Sequence, residues 1–151
     1  MGEPGVSWSG EGYLDSNFGE ESLEEGFRMW HWSRAHCREG SVVNYEGTRR
    51  DGSHFASALR FAADGSPEPA ELPMVAPLPD TFWRVERSTR ADRGHARVLD
   101  TWEDSPFYAR SQLLTQLYGE RVVAVQESLD LDRFKSPLTQ FMLGFRMPRE
   151  A

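Results

Sequence analysis

A chain of 151 residues with 38% hydrophobic and 27% charged residues is long enough to bury a core and polar enough to fold in water. Its formal net charge of −7 opposes a phosphate-binding surface, which needs a surplus of Lys and Arg, so no nucleic-acid partner is expected. No run of about 18 apolar residues predicts a spanning helix, and the opening Met1–Trp8 lacks the basic start and apolar stretch of a secretory signal.

In chain order, Trp8–Asn17 mixes aromatics with glycines and reads as a strand that bends or approaches another group closely. Ser22-Leu-Glu-Glu-Gly26 predicts a helical turn, with Ser22 as N-cap, Glu25 in a capping box and Gly26 as its stop. Phe27–Arg34 alternates, placing Phe27, Met29, His31 and Ser33 on one face and Arg28, Trp30, Trp32 and Arg34 on the other. Val42–Arg49 and His54–Phe61 form a hairpin around Asp51-Gly52, which supplies the positive φ a tight turn needs. Five prolines between Ser66 and Pro79 exclude a helix or a central strand there. A second hairpin is expected from Phe82–Arg87 and His95–Trp102, turning at Ala91–Gly94. A third is expected from Tyr108–Tyr118 and Val122–Leu131, turning at Gly119-Glu120. After Ser136-Pro137, Leu138–Phe145 reads as a short terminal helix. The sum is one all-β domain over residues 1–151: an antiparallel barrel, or a partial barrel or sandwich, with a short C-terminal helix.

The lone Cys37 excludes an internal disulfide and fits a reducing compartment. Neither the four histidines nor the cysteine has metal-ligand spacing, so no metal is expected. No nucleophile elbow, P-loop or dinucleotide fingerprint occurs. Two stretches carry chemistry. Tyr13-Leu14-Asp15 puts a phenol and a carboxyl on one face of a strand; lining an apolar cavity, that carboxyl would stay protonated and serve as a general acid. The same residues also suit a strand end that bonds the next turn. Trp30 and Trp32 share a face, where they either stabilise a cation or pack as core.

Five ordered segments, Gly12-Tyr-Leu-Asp-Ser-Asn-Phe-Gly19, Phe27-Arg-Met-Trp-His-Trp-Ser-Arg34, Glu103-Asp-Ser-Pro-Phe-Tyr-Ala-Arg-Ser111, Glu127-Ser-Leu-Asp-Leu-Asp-Arg-Phe134 and Phe145-Arg-Met-Pro-Arg149, resemble the carotenoid 1,2-hydratase (hydroxyneurosporene synthase) family. The resemblance implies a lipocalin-like β fold and hydration, without a cofactor, of the terminal 1,2 double bond of an acyclic carotenoid such as lycopene or neurosporene. It places the proton donor at Asp15 and a supporting phenol at Tyr13; Trp30 and Trp32 are added as cavity lining. It further implies the C-terminal portion of a longer architecture, with an N-terminal companion segment or a homo-oligomer completing the pocket. The expected location is cytoplasmic, with at most peripheral contact with the inner membrane through Phe141–Phe145. The alternatives are non-catalytic binding of an apolar isoprenoid, or an inactive fragment that needs an N-terminal partner.

Overall fold

The computed structural model describes residues 7, 14, 16 and 18–145. After a helical turn α1 (Leu23–Gly26) come β1 (Phe27–Cys37), β2 (Gly40–Arg49), β3 (His54–Phe61) and β4 (Pro67–Pro69). Then follow β5 (Met74–Pro77), β6 (Ser88–Ala91), β7 (Ala96–Asp104), β8 (Tyr108–Leu117) and β9 (Glu120–Asp130), and two short helices, α2 (Leu131–Phe134) and α3 (Pro137–Leu143). Seven strands make one antiparallel sheet in the order β4-β3-β2-β1-β9-β8-β7, while β5 and β6 pair separately. The sheet is all-β as expected and, among the described residues, does not close: β4 and β7 are its edges.

A register shift between Phe27 and Met29 turns Phe27, expected beside His31, to the Trp30 side; from Met29 on, the alternation read from the sequence gives the sheet two unlike faces. On one, Ala35, Val42, Leu113, Leu117, Val122 and Ala124 form the apolar core, closed by Leu78. Further along this face the buried side chains become polar. Gln126 Nε2 donates to Ser128 Oγ (2.6 Å) and to Ser88 O (3.2 Å). Ser128 Oγ lies 2.6 Å from His31 Nδ1. With Gln126 donating to Ser128, the hydroxyl proton is assigned toward Nδ1, and the imidazole carries its own proton on Nε2. The β5–β6 pair lies across this layer. Arg90 on β6 grips Glu46 on β2 through Nε (2.9 Å) and Nη2. Arg87 donates to Pro79 O (2.6 Å), Ser111 Oγ (2.7 Å) and Thr101 Oγ1 (3.1 Å).

Two expectations change. Phe82–Arg87 does not pair with His95–Trp102: Arg84 N bonds Thr81 O (3.0 Å), Val85 N bonds Thr81 Oγ1 (3.1 Å), and Arg84 takes φ 55°, so a tight turn replaces the strand. The expected turn at Ala91–Gly94 exists, with Gly94 N on Ala91 O (3.1 Å), yet it leads from β6 in the small sheet to β7, which pairs with β8. The capping box at Ser22 is also unmade. Ser22 gives no side-chain cap bond, and the Glu25 carboxylate turns to Lys135 Nζ at 2.7 Å. The terminal helix appears as read, with Ser136 Oγ accepting from Thr139 N (3.2 Å) and Pro137 in its first turn; α2, capped by Asp130, precedes it unforeseen. The reading of Trp8–Asn17 as a strand lies outside the described residues apart from positions 14 and 16. Among the described residues no helix is long and apolar enough to cross a membrane.

Candidate functional site

The second face of the sheet is aromatic. Trp30 packs edge-to-face against Phe27 (centroids 5.8 Å) and Tyr45 (5.6 Å), and Trp32 against the other side of Tyr45 (6.4 Å). Phe55 continues the strip by meeting Phe27 at 5.7 Å, and Arg49 lies over both of those rings. Gly47 makes this possible. A Cβ there would stand 2.8 Å from Phe55 Cε1 and 2.8 Å from Met29 O, so only glycine lets the ring lie against the strand.

Residues 18–26 form a wall over this strip and enclose, with Phe27 and Trp30, an open groove of about 670 Å³. That volume lies within the usual range for small-molecule sites, about 300–1,000 Å³. The wall is pinned by Lys135 on Glu25, by Arg50 Nε on Glu24 O (3.0 Å) and by Arg50 N on Gly26 O (3.0 Å). Leu23 lines the groove, while Phe18 stands at its rim, 98% exposed. Of the residues expected to act, Trp30 forms the groove floor and Trp32 stands two residues further along the same face. Tyr13 and Asp15 lie outside the described residues.

Beside the tryptophans the pairing register assembles a polar group that the sequence alone did not suggest. Glu127 on β9 stands opposite both Trp32 on β1 and Arg110 on β8. Arg110 Nε reaches Glu127 Oε1 at 3.4 Å, and its guanidinium lies 5.8 Å from the Trp102 ring centroid. Burial, followed by the nearby Glu127 and Glu103 charges, pushes the Tyr108 phenol far above its ordinary pKa, so the phenol keeps its proton beside Glu127. These three residues sit in two segments already marked by resemblance, but nothing in their spacing connects them; the link is the β8–β9 register.

A second hollow of about 480 Å³ opens on the other face, among His31, Glu46, His54, Ser88 and Arg90. Its polar atoms are largely engaged with each other, which suits a structural layer better than an apolar ligand. Cys37 is half-buried, and burial together with Glu120 pushes its thiol up, away from the reactive thiolate.

Comparisons with known proteins agree with the sequence. Residues 1–151 match the family described as "Carotenoid hydratase CrtC". The acyclic carotenoid 1,2-hydratase of Thiocapsa roseopersicina is 52% identical over 149 residues, covering 97% of this chain and 37% of that protein. The protein of the same name from Cereibacter sphaeroides is 43% identical over 146 residues, covering 96% and 52%. That from Rubrivivax gelatinosus is 44% identical over 154 residues, covering 100% and 38%. The chain thus spans about half or less of the length of these relatives. The solved structure of the siderocalin Ex-FABP covers 80% of this chain and 79% of its own at 12% identity and a TM-score of 0.23, a likeness too slight to bear on fold or ligand. With a match running from the first residue to the last, the chain belongs to the carotenoid hydratase family.

Proposed function

We propose that this chain contributes the acid and the aromatic lining for hydration of the terminal 1,2 double bond of an acyclic carotenoid. The observation that carries the reading is the match to the acyclic carotenoid 1,2-hydratases along 96–100% of the chain. The groove supports it. Leu23, Phe27 and Trp30 offer an apolar slot for one end of a polyene, and Asp15 lies eight residues before Leu23 in sequence. In this reading the Asp15 carboxyl gives its proton to C2 of the alkene. The π bond breaks, C1 becomes a tertiary cation, and a water oxygen bonds to C1 and releases a proton. Tyr13 supports the acid. The Trp30 and Trp32 ring faces attract the cation, an interaction worth about 0.5–2 kcal/mol per ring depending on desolvation.

The test is product analysis. Lycopene in lipid vesicles is incubated with this chain, alone and with the N-terminal portion of a relative added, and the pigment is analysed by mass spectrometry. A product heavier by one water is expected, and Asp15→Asn is expected to lower its formation at least about 100-fold, the lower end of what a general acid contributes. Undiminished hydration by Asp15→Asn would remove Asp15 from the role, and pigment retained without product would favour the non-catalytic isoprenoid binder.

A further inference from the structure

We propose that Glu127, paired with Arg110, is the base that takes the proton from the water that captures the cation. This role rests on the hydration reading. Hydration needs two opposite proton transfers, one to carbon and one from the incoming water, and the acid alone accounts only for the first. The second calls for an acceptor beside the aromatic floor, on the solvent side of the cation.

Glu127 meets this description by position. It pairs with Trp32 across β1 and β9, and directly opposed residues hold their Cβ atoms about 4.5–5.5 Å apart. One residue pair along, Leu129 stands opposite Trp30 and Tyr108, so the carboxylate borders the same patch that floors the groove. Its side chain is 27% exposed, enough for water to reach it. The ion pair uses Oε1 toward Arg110, which leaves lone pairs of the carboxylate for a water molecule. Arg110 is itself steadied against Trp102, so the partner that orients the carboxylate is anchored. A carboxylate at this edge would also favour a nearby cation electrostatically. The step balances: the water oxygen forms its bond to C1, one of its O–H bonds breaks, and the proton goes to Glu127 and from there to solvent, while Asp15 is reprotonated from solvent.

Reaction in heavy water separates the two proton transfers. After deuteration of C2 the cation has two fates, capture by water or return to alkene when the Asp15 carboxylate removes a proton from C2. Glu127→Gln keeps the size of the side chain and removes the base. It is expected to lower hydration about 100-fold or more while the recovered alkene still gains deuterium. Asp15→Asn is expected to lose both signals, and Glu127→Asp to restore part of the hydration. Wild-type hydration in Glu127→Gln, or loss of exchange together with hydration, overturns the role of Glu127. A native chain that neither hydrates nor exchanges, in the presence of the added N-terminal portion, overturns the hydration reading itself.

Discussion

At the scale of residues, the two tryptophans and Glu127 show what a sequence displays and what it hides. Trp30 and Trp32 were legible because strand alternation is local: side chains two apart share a face whatever the rest of the chain does. Their difference was not legible. Trp30 makes edge-to-face contacts with both Phe27 and Tyr45, whereas Trp32 meets Tyr45 alone among those rings and lies outside the groove wall. Each such ring pair contributes about 0.5–1.5 kcal/mol beyond the area it buries. Trp30→Leu is therefore expected to cost about 1–3 kcal/mol, read as a lower urea midpoint with an unchanged slope, and Trp32→Leu to cost less. Equal losses would mean the ring contacts do not set the ranking. Glu127 could not be found in this way, since its partners Trp32 and Arg110 are 95 and 17 residues away and meet it only through pairing across β9.

At the scale of elements, the hairpins whose turns contain a favourable pair of residues were legible. Gly52 takes φ 85° between β2 and β3; between β8 and β9 the turn falls at Tyr118-Gly119 (φ 51° and 83°), one residue before the expected Gly119-Glu120, and Glu120 opens β9. The error came where a turn signal was correct but its strands were not partners. Ala91–Gly94 turns the chain, and β6 then pairs back to β5 while β7 pairs forward to β8. Partner choice there is set by long-range contacts, Arg87 on Ser111 and Arg90 on Glu46, which no local pattern encodes. The same distinction between local and distant causes applies to glycines. Gly52 has open space around its α-carbon, so Gly52→Ala meets only the backbone preference, about 1 kcal/mol. Gly47→Ala instead drives a methyl group against the Phe55 ring and Met29 O, which ties β1 to β2 beneath the groove. Overpacking of that kind costs about 1–3 kcal/mol, or roughly 2–9 °C in melting temperature for a chain of this size. A calorimetric scan showing Gly47→Ala as tolerant as Gly52→Ala would discard the close-approach explanation.

At the scale of the whole molecule, one sheet serves two environments, and the buried polar layer is what joins the β5–β6 pair to it. His31 stands at the centre of that layer, 9% exposed, with Ser128 on its Nδ1. Burial lowers its pKa below the ordinary 6.5; the Glu46 and Glu86 charges oppose the shift, and Arg90 adds to it. The sign of the consequence follows from proton binding. Below about pH 6.5 the unfolded chain takes up a proton at this residue while the folded chain resists it, so the unfolded state gains and stability falls as the pH drops. One such group contributes a slope of at most about 1.4 kcal/mol per pH unit, and only between the lowered folded value and 6.5. Asp132, held below its usual range by Arg50 and Arg28, adds a loss of the same sign further into the acid range, where its ion pairs are protonated away. The two are separable by substitution. His31→Gln cannot be charged, and its amide still offers Ser128 a hydrogen-bond partner. Urea midpoints taken from pH 8 down to pH 5 should therefore decline less for His31→Gln than for the native chain, with the curves diverging below about pH 6.5. Parallel curves across that interval would show that the imidazole under β6 takes up its proton as readily folded as unfolded, and the polar layer would then have no part in acid sensitivity.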